Sequence, residues 1–266
     1  MLLFPTVGAL GMVTLRLVFS AIVLLLVCRP TFRGYSRHDW FVVTIFGLAL
    51  AAMNVLFYEA LARLPLGTAV TIEVLGPLLL SVIVSRRAAS WLWAVLAFIG
   101  VALLSQGGLE ELDPVGVAFA AGAGVMWASY ILMSARTGSR FPRLDGLAIA
   151  MAIGAVVTLP FGLGTAGPTF SSPVVLLLGL AVALLSSAIP YALELLALRR
   201  LPAASFSILM SLAPAIAALA GALVLGQGLT LVSGIAILLV VVASAGAVRS
   251  ASLHRKRQSG LAEPVI

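Results

Sequence analysis

Leu61-Ala-Arg-Leu-Pro65 and Leu198-Arg-Arg-Leu-Pro202 repeat one another 137 residues apart, and the same offset carries Gly76-Pro77 onto Ala213-Pro214. The chain is therefore built of two related halves. Long apolar stretches flank both copies, and a helix needs roughly 20 residues to cross about 30 Å of hydrocarbon. By that measure spans are predicted at 9–28, 40–62, 66–85, 91–106, 115–135, 145–163, 173–197, 203–225 and 229–248. Only 115–135 lacks a counterpart in the other half. The first repeat, 1–106, is thus expected to lack the opening helix that the second, 107–248, possesses; 249–266 reads as a basic tail.

Apolar residues make up 62% of the sequence and charged residues 9%, too few charges to solvate the surface of a water-soluble domain. Lipid is the expected solvent. Unbroken apolar runs containing Gly and Pro do not alternate as the strands of a membrane barrel would. The predicted fold class is an all-α polytopic bundle. Of the 16 Lys and Arg residues, Arg29, Arg33, Arg37, Arg86, Arg87, Arg136, Arg140, Arg143, Arg199, Arg200, Arg249, Arg255, Lys256 and Arg257 share one side if the connections alternate. That side is cytoplasmic by the positive-inside rule, which also puts the C-terminus there. The net charge of +7 then reflects orientation in a bacterial inner membrane rather than nucleic-acid binding. A lone Cys28 forms no internal disulfide. The sequence has no metal-ligand spacing, phosphate loop or Gly-x-Ser-x-Gly, so no metal, cofactor or enzyme activity is expected.

A unit of five spans, repeated, puts its second copy upside down. Inverted repeats of this kind build secondary transporters, with a substrate site near the midplane. Charged residues within spans are the best guides to such a site, since each costs about 2.5 to 3.5 kcal/mol at a helix centre. Glu73 stands four residues before Pro77, whose missing N–H frees the carbonyl of residue 73. Glu194 shares a helix face with Ser187, Pro190 and Tyr191, and Pro190 frees the carbonyl of Ser186. Pro214 is the third expected helix break. Acidic groups inside spans serve proton relays, which makes Glu73 and Glu194 the candidates for proton coupling. Glu73 could instead tie two helices together, and Glu194 could pair at the interface with Arg199.

Arg16 has two placements: reaching outward to water along its stem, or facing the bundle as a fork for a substrate carboxylate. Asn54 and Tyr58 share a face and offer neutral hydrogen bonds to a substrate or to another helix. Trp127 and Tyr130, one turn apart beside Gly122 and Gly124, either wall a cavity or anchor a helix interface.

Several stretches together resemble the EamA-type drug/metabolite transporters, and among them the threonine/homoserine exporters. They are Gly11-Met-Val-Thr-Leu-Arg16, Met53-Asn54-Val-Leu-Phe-Tyr58, Pro65-Leu-Gly-Thr-Ala-Val-Thr-Ile-Glu73-Val-Leu-Gly-Pro77, Gly122-Ala-Gly-Val-Met-Trp127-Ala-Ser-Tyr130 and Ser187-Ala-Ile-Pro190-Tyr-Ala-Leu-Glu194. The resemblance implies ten helices in two inverted repeats and proton-driven export of a small amino acid or related polar metabolite. Its alternatives are a drug or nucleoside exporter or an uptake carrier of the same fold, or a membrane scaffold. The expected partners are the amino acid, protons and the lipid bilayer, with a second copy filling the place of the missing helix. The chain departs from the resemblance at Ala213, where the exporters tend to carry Glu, and at Gln227, where Gly-Glu is usual.

Overall fold

The computed structural model describes residues 4–85, 88–104, 112–200, 212–228 and 230–261. The described residues form helices and no strands: α1 (Phe4–Cys28), α2 (Arg37–Leu61), α3 (Leu66–Glu73), α4 (Leu75–Ser85), α5 (Ala88–Leu104), α6 (Pro114–Arg140), α7 (Asp145–Ala166), α8 (Pro173–Ala183), α9 (Ile189–Arg200), α10 (Ala213–Leu225) and α11 (Leu231–Leu261). Among the described residues, five continuous helical stretches are long and apolar enough to cross a bilayer, the α8–α9 pair among them as Pro173–Glu194. Each predicted span coincides with helix where its residues are described, with three differences. A π-helical turn at Leu184–Ala188 interrupts the span 173–197. The span 66–85 is divided into α3 and α4 at Val74, and α11 continues through the basic segment instead of ending near 248. The Arg, Lys and Gln of that segment are good helix formers, and no proline stops them. Positions 203–211 of the eighth predicted span lie outside the described residues, as do Arg86, Arg87, Glu110, Glu111 and Pro202.

The chain forms two compact units, each drawing on both sequence repeats: Met1–Ala62 with Val125–Arg199, and Arg63–Gly124 with Arg200–Ile266. In the first unit α1 lies along α7, and α2 also packs on α7. Val13, Leu17, Val43, Phe46, Leu50, Met53, Tyr130 and Met151 make its buried core. Without a hydrophobic drive in lipid, close packing holds these helices together. Gly47 allows α2 and α7 to approach closely: a Cβ there would come within 2.7 Å of the Ala150 carbonyl. Thr14 Oγ1 donates to the Thr158 carbonyl (3.0 Å), tying α1 to α7 by a buried hydrogen bond. At the Arg37 end, Ser36 and Asp39 form a capping box for α2, and Asp39 also accepts from Arg140 of α6 at 2.6 Å.

In the second unit α5 packs along α11 and α3 along α10. Thus α1 with α7 and α5 with α11 are each pairs that the sequence repeat equates. Ala218, Ala236 and Ile237 form one small core here, and Leu78, Ala97, Ala243 and Ala247 another. The N-terminus of α3 is held by Gln227: its Oε1 accepts from Leu66 N at 3.1 Å, satisfying a backbone donor that α3 cannot satisfy itself. Gly226, at φ 64°, ends α10 in the left-handed conformation that aims Gln227 at this task.

The break at Val74 is where α6 crosses. A Cβ on Gly124 would lie 2.6 Å from the Glu73 carbonyl, the one Pro77 leaves without a helical donor, and a Cβ on Gly76 would overlap the Gly124 carbonyl itself. Backbone cannot step aside as a flexible side chain can. Gly76→Ala should therefore cost about 1 to 3 kcal/mol, the usual range for an overpacked site. Gly164→Ala, at an exposed α7 position with nothing within 4 Å, should cost nothing; unfolding in mixed micelles measures both.

Candidate functional site

Arg16 is 6% exposed and faces the interior of its unit. Its Nε donates to Ser187 Oγ (2.8 Å) and its Nη2 to the Ser186 carbonyl (3.0 Å). The second acceptor is the carbonyl that Pro190 deprives of its i+4 donor. The chain around it is a π-helical turn, Leu184–Ala188, inserted between α8 and α9. π-bulges within helices favour functional sites. The guanidinium carbon also lies over the Tyr58 ring, 4.9 Å from its centroid, within cation–π range. Ser20 Oγ, one turn along α1, donates to the Ala183 carbonyl at 3.2 Å. Two polar groups of one α1 face thus grip the opened helix. The hydrogen bonds to Ser186 and Ser187 use two of the five guanidinium N–H donors.

The same unit gathers most of the other residues singled out from sequence. Asn54, 4% exposed, donates through Nδ2 to the Leu50 carbonyl (2.8 Å) and lies 3.5 Å from Tyr191 Oη. Tyr191 packs against Tyr130, ring centroids 5.7 Å apart, and Tyr130 against Phe46 at 5.3 Å. Trp127 is half-buried against the same core. Glu194, one turn beyond Pro190, is half-buried. Glu73 belongs to the other unit, where it is 9% exposed and ends α3 beside the break at Val74. Pro77 follows the break at Val74, and Pro190 follows the π-helical turn Leu184–Ala188. Pro214 occupies the first turn of α10, where no backbone donor is needed.

Two features escape a reading by residue type. Gln227 is a helix cap, so its replacement of Glu concerns the seating of α3. Ser134 and Thr137 continue a stripe on α6 from Tyr130 at spacings of four and three, with Phe141 four residues on, just past the helix end; that periodicity is the signal available in the sequence. Among the described residues no cluster of His, Cys, Asp and Glu could hold a metal ion.

An all-helical, multi-pass membrane protein whose buried arginine meets an opened helix has the makings of a solute carrier. The model of the EamA-like transporter family matches residues 114–249. The threonine/homoserine exporters RhtA of Escherichia coli (strain K12) and of Salmonella typhimurium (strain LT2) are each 39% identical to this chain over 246 residues, covering 92% of it and 83% of the relative. The chain belongs to the EamA-like transporter family.

Arg16→Lys should fold and reach the membrane yet lose at least about tenfold in transport efficiency. Lysine keeps the charge but cannot span the Ser187 hydroxyl and Ser186 carbonyl with one planar fork. A hydrogen bond to a charged group is worth about 1.5 to 3 kcal/mol, or tenfold and more. Initial rates of solute efflux from cells or proteoliposomes, normalised to protein in the membrane, provide the measurement.

Proposed function

We propose that the protein is a secondary transporter that exports threonine, homoserine or a similarly small amino acid, exchanging it for protons. The observation that carries this reading is the buried Arg16, anchored on one edge by Ser186 and Ser187 and backed by Tyr58. An arginine oriented this way has donors left for a carboxylate, and a planar fork matches that group in two places. Asn54, Tyr58, Trp127, Tyr130 and Tyr191 supply neutral hydrogen bonds and aromatic walls around the rest of a small polar solute. Glu73 and Glu194 are the proton-coupling groups. The names of the two relatives support the substrate class, and packing of repeat-equated helices against each other supports a fold of two inverted repeats, 1–106 and 107–248. The basic connections support a cytoplasmic C-terminus in a bacterial cell.

Proteoliposomes loaded with labelled threonine test this reading. With the outside one pH unit more acidic, exchange of one proton per solute supplies about 1.4 kcal/mol, enough to sustain a roughly tenfold threonine gradient. The parent protein should release threonine against such a gradient, and Glu73→Gln should exchange threonine without responding to pH. Release no faster than from empty liposomes contradicts the substrate. An unchanged pH response in Glu73→Gln contradicts the proton role.

A further inference from the structure

Among the described residues only two other than glycine take a positive φ, and both are arginines: Arg29 at 46° and Arg143 at 47°. The left-handed region strains any L-residue with a Cβ, and glycine is its usual occupant. Arg29 follows the last turn of α1, donating its N–H to the Leu25 carbonyl at 2.9 Å, where a glycine commonly ends a helix. Arg143 stands just before α7. The two helices run antiparallel, with Gly11 against Ala166 and Thr14 against Gly162, so both arginines lie at one end of the first unit. Both are exposed there, as are Arg33, Arg37, Arg136 and Arg140. The stretches 28–40 and 136–146 contain two acidic residues, Asp39 and Asp145. Asp39 is engaged by Arg140 at 2.6 Å, and Asp145 is buried. The exposed face is therefore positive. Aromatic contacts fix the connection from α1 to α2: Tyr35 packs on Phe141 with centroids 4.3 Å apart and edge-on against Trp40, while Phe32 stacks on Trp40. Phe32 and Phe41 are 57% and 64% exposed.

We infer that this end of the first unit is a docking surface for an anionic phospholipid, its headgroup held by Arg29 and Arg143. Charge complementarity selects the headgroup: a guanidinium meets phosphate oxygens with a planar fork, and basic clusters beside spanning helices attract anionic lipid. Exposed Phe32 and Phe41, placed next to these arginines in the sequence, suit the boundary between headgroup and acyl chain, so the partner is amphipathic rather than a free phosphate. Orientation in the membrane needs only positive charge on this side, and lysine in a relaxed loop would provide it. Arginine held in strained backbone at the ends of two packed helices serves a position, not a count. The inference does not depend on which solute is carried.

The lone cysteine makes a local probe possible. In a Cys28→Ala parent, Thr31→Cys, exposed in the α1–α2 connection, carries an uncharged fluorophore, and the full chain is reconstituted in phosphatidylcholine vesicles. Phosphatidylglycerol bearing a nitroxide near the top of its acyl chain should quench this probe at far lower mole fraction than phosphatidylcholine bearing the same label. Arg29→Gly combined with Arg143→Gly should lose about 25-fold of that preference, about fivefold for each arginine near the surface. The glycine pair should also unfold no more readily than the parent in mixed micelles, because glycine adopts both conformations without strain. Arg29→Lys with Arg143→Lys, which keeps the charge, should retain most of the preference. Equal quenching by the two labelled lipids, or a glycine pair with the parent's preference, overturns the lipid site. Displacement of the lipid by inorganic phosphate well beyond that by chloride at equal ionic strength overturns it too, marking a soluble anion's site instead. A glycine pair that unfolds more readily contradicts the strain on which the inference rests.

Discussion

The grip of Arg16 on the carbonyl of Ser186 is the contact around which the first unit is arranged. In lipid an unpaired backbone carbonyl and an unpaired guanidinium are each expensive. Pro190 creates the first, α1 supplies the second, and each satisfies the other at 3.0 Å. Tyr58 covers the guanidinium face and Ser187 takes Nε, so the charge is held by neutral groups. That neutrality bears on the proposed function: among the described residues the partners of Arg16 are neutral, and in the proposal a solute carboxylate is its counter-ion.

The second unit solves the same backbone problem differently. Pro77 frees the carbonyl of Glu73, but here the neighbour is the bare backbone of Gly124, which a side chain would displace. One proline break therefore receives a cation and the other a glycine crossing. The short α3 between Gln227 at its beginning and Glu73 at its end is seated from both sides: Gln227 caps Leu66, and Gly67 packs so close to Ala218 that a Cβ would stand 2.9 Å away. Glutamate at position 227 would cap equally well, which is why Gln and Glu are physically interchangeable at this place.

Much of this was legible in the residues. Apolar runs located the helices because lipid permits few alternatives, and the 137-residue offset paired them because duplicated sequences keep their proline breaks. Proline chemistry identified the carbonyls of residues 73 and 186 before any coordinate. What could not be read was which donor each freed carbonyl would meet, because that depends on the crossing of distant helices: Arg16 and Ser186 are 170 residues apart. For Arg16 the sequence left an outward and an inward placement equally open, since stem length permits both; only the packing of α1 against α8 decides for the interior. The capping role of Gln227 is not legible in the sequence because its partner, a backbone N–H, carries no residue-specific signal. Ser134 and Thr137 carry as weak a signal, since Ser and Thr in membrane helices usually bond to their own backbone.

A double-mutant cycle on Arg16 and Ser187, read as the free energy of unfolding in mixed micelles, tests the central contact most directly. If the guanidinium is held by the opened helix as described, Arg16→Lys and Ser187→Ala should be non-additive, with a coupling of about 0.5 to 3 kcal/mol. Effects that simply add, to within about 0.5 kcal/mol, would mean that Arg16 does not depend on the α8–α9 break, and the account of the site would be wrong.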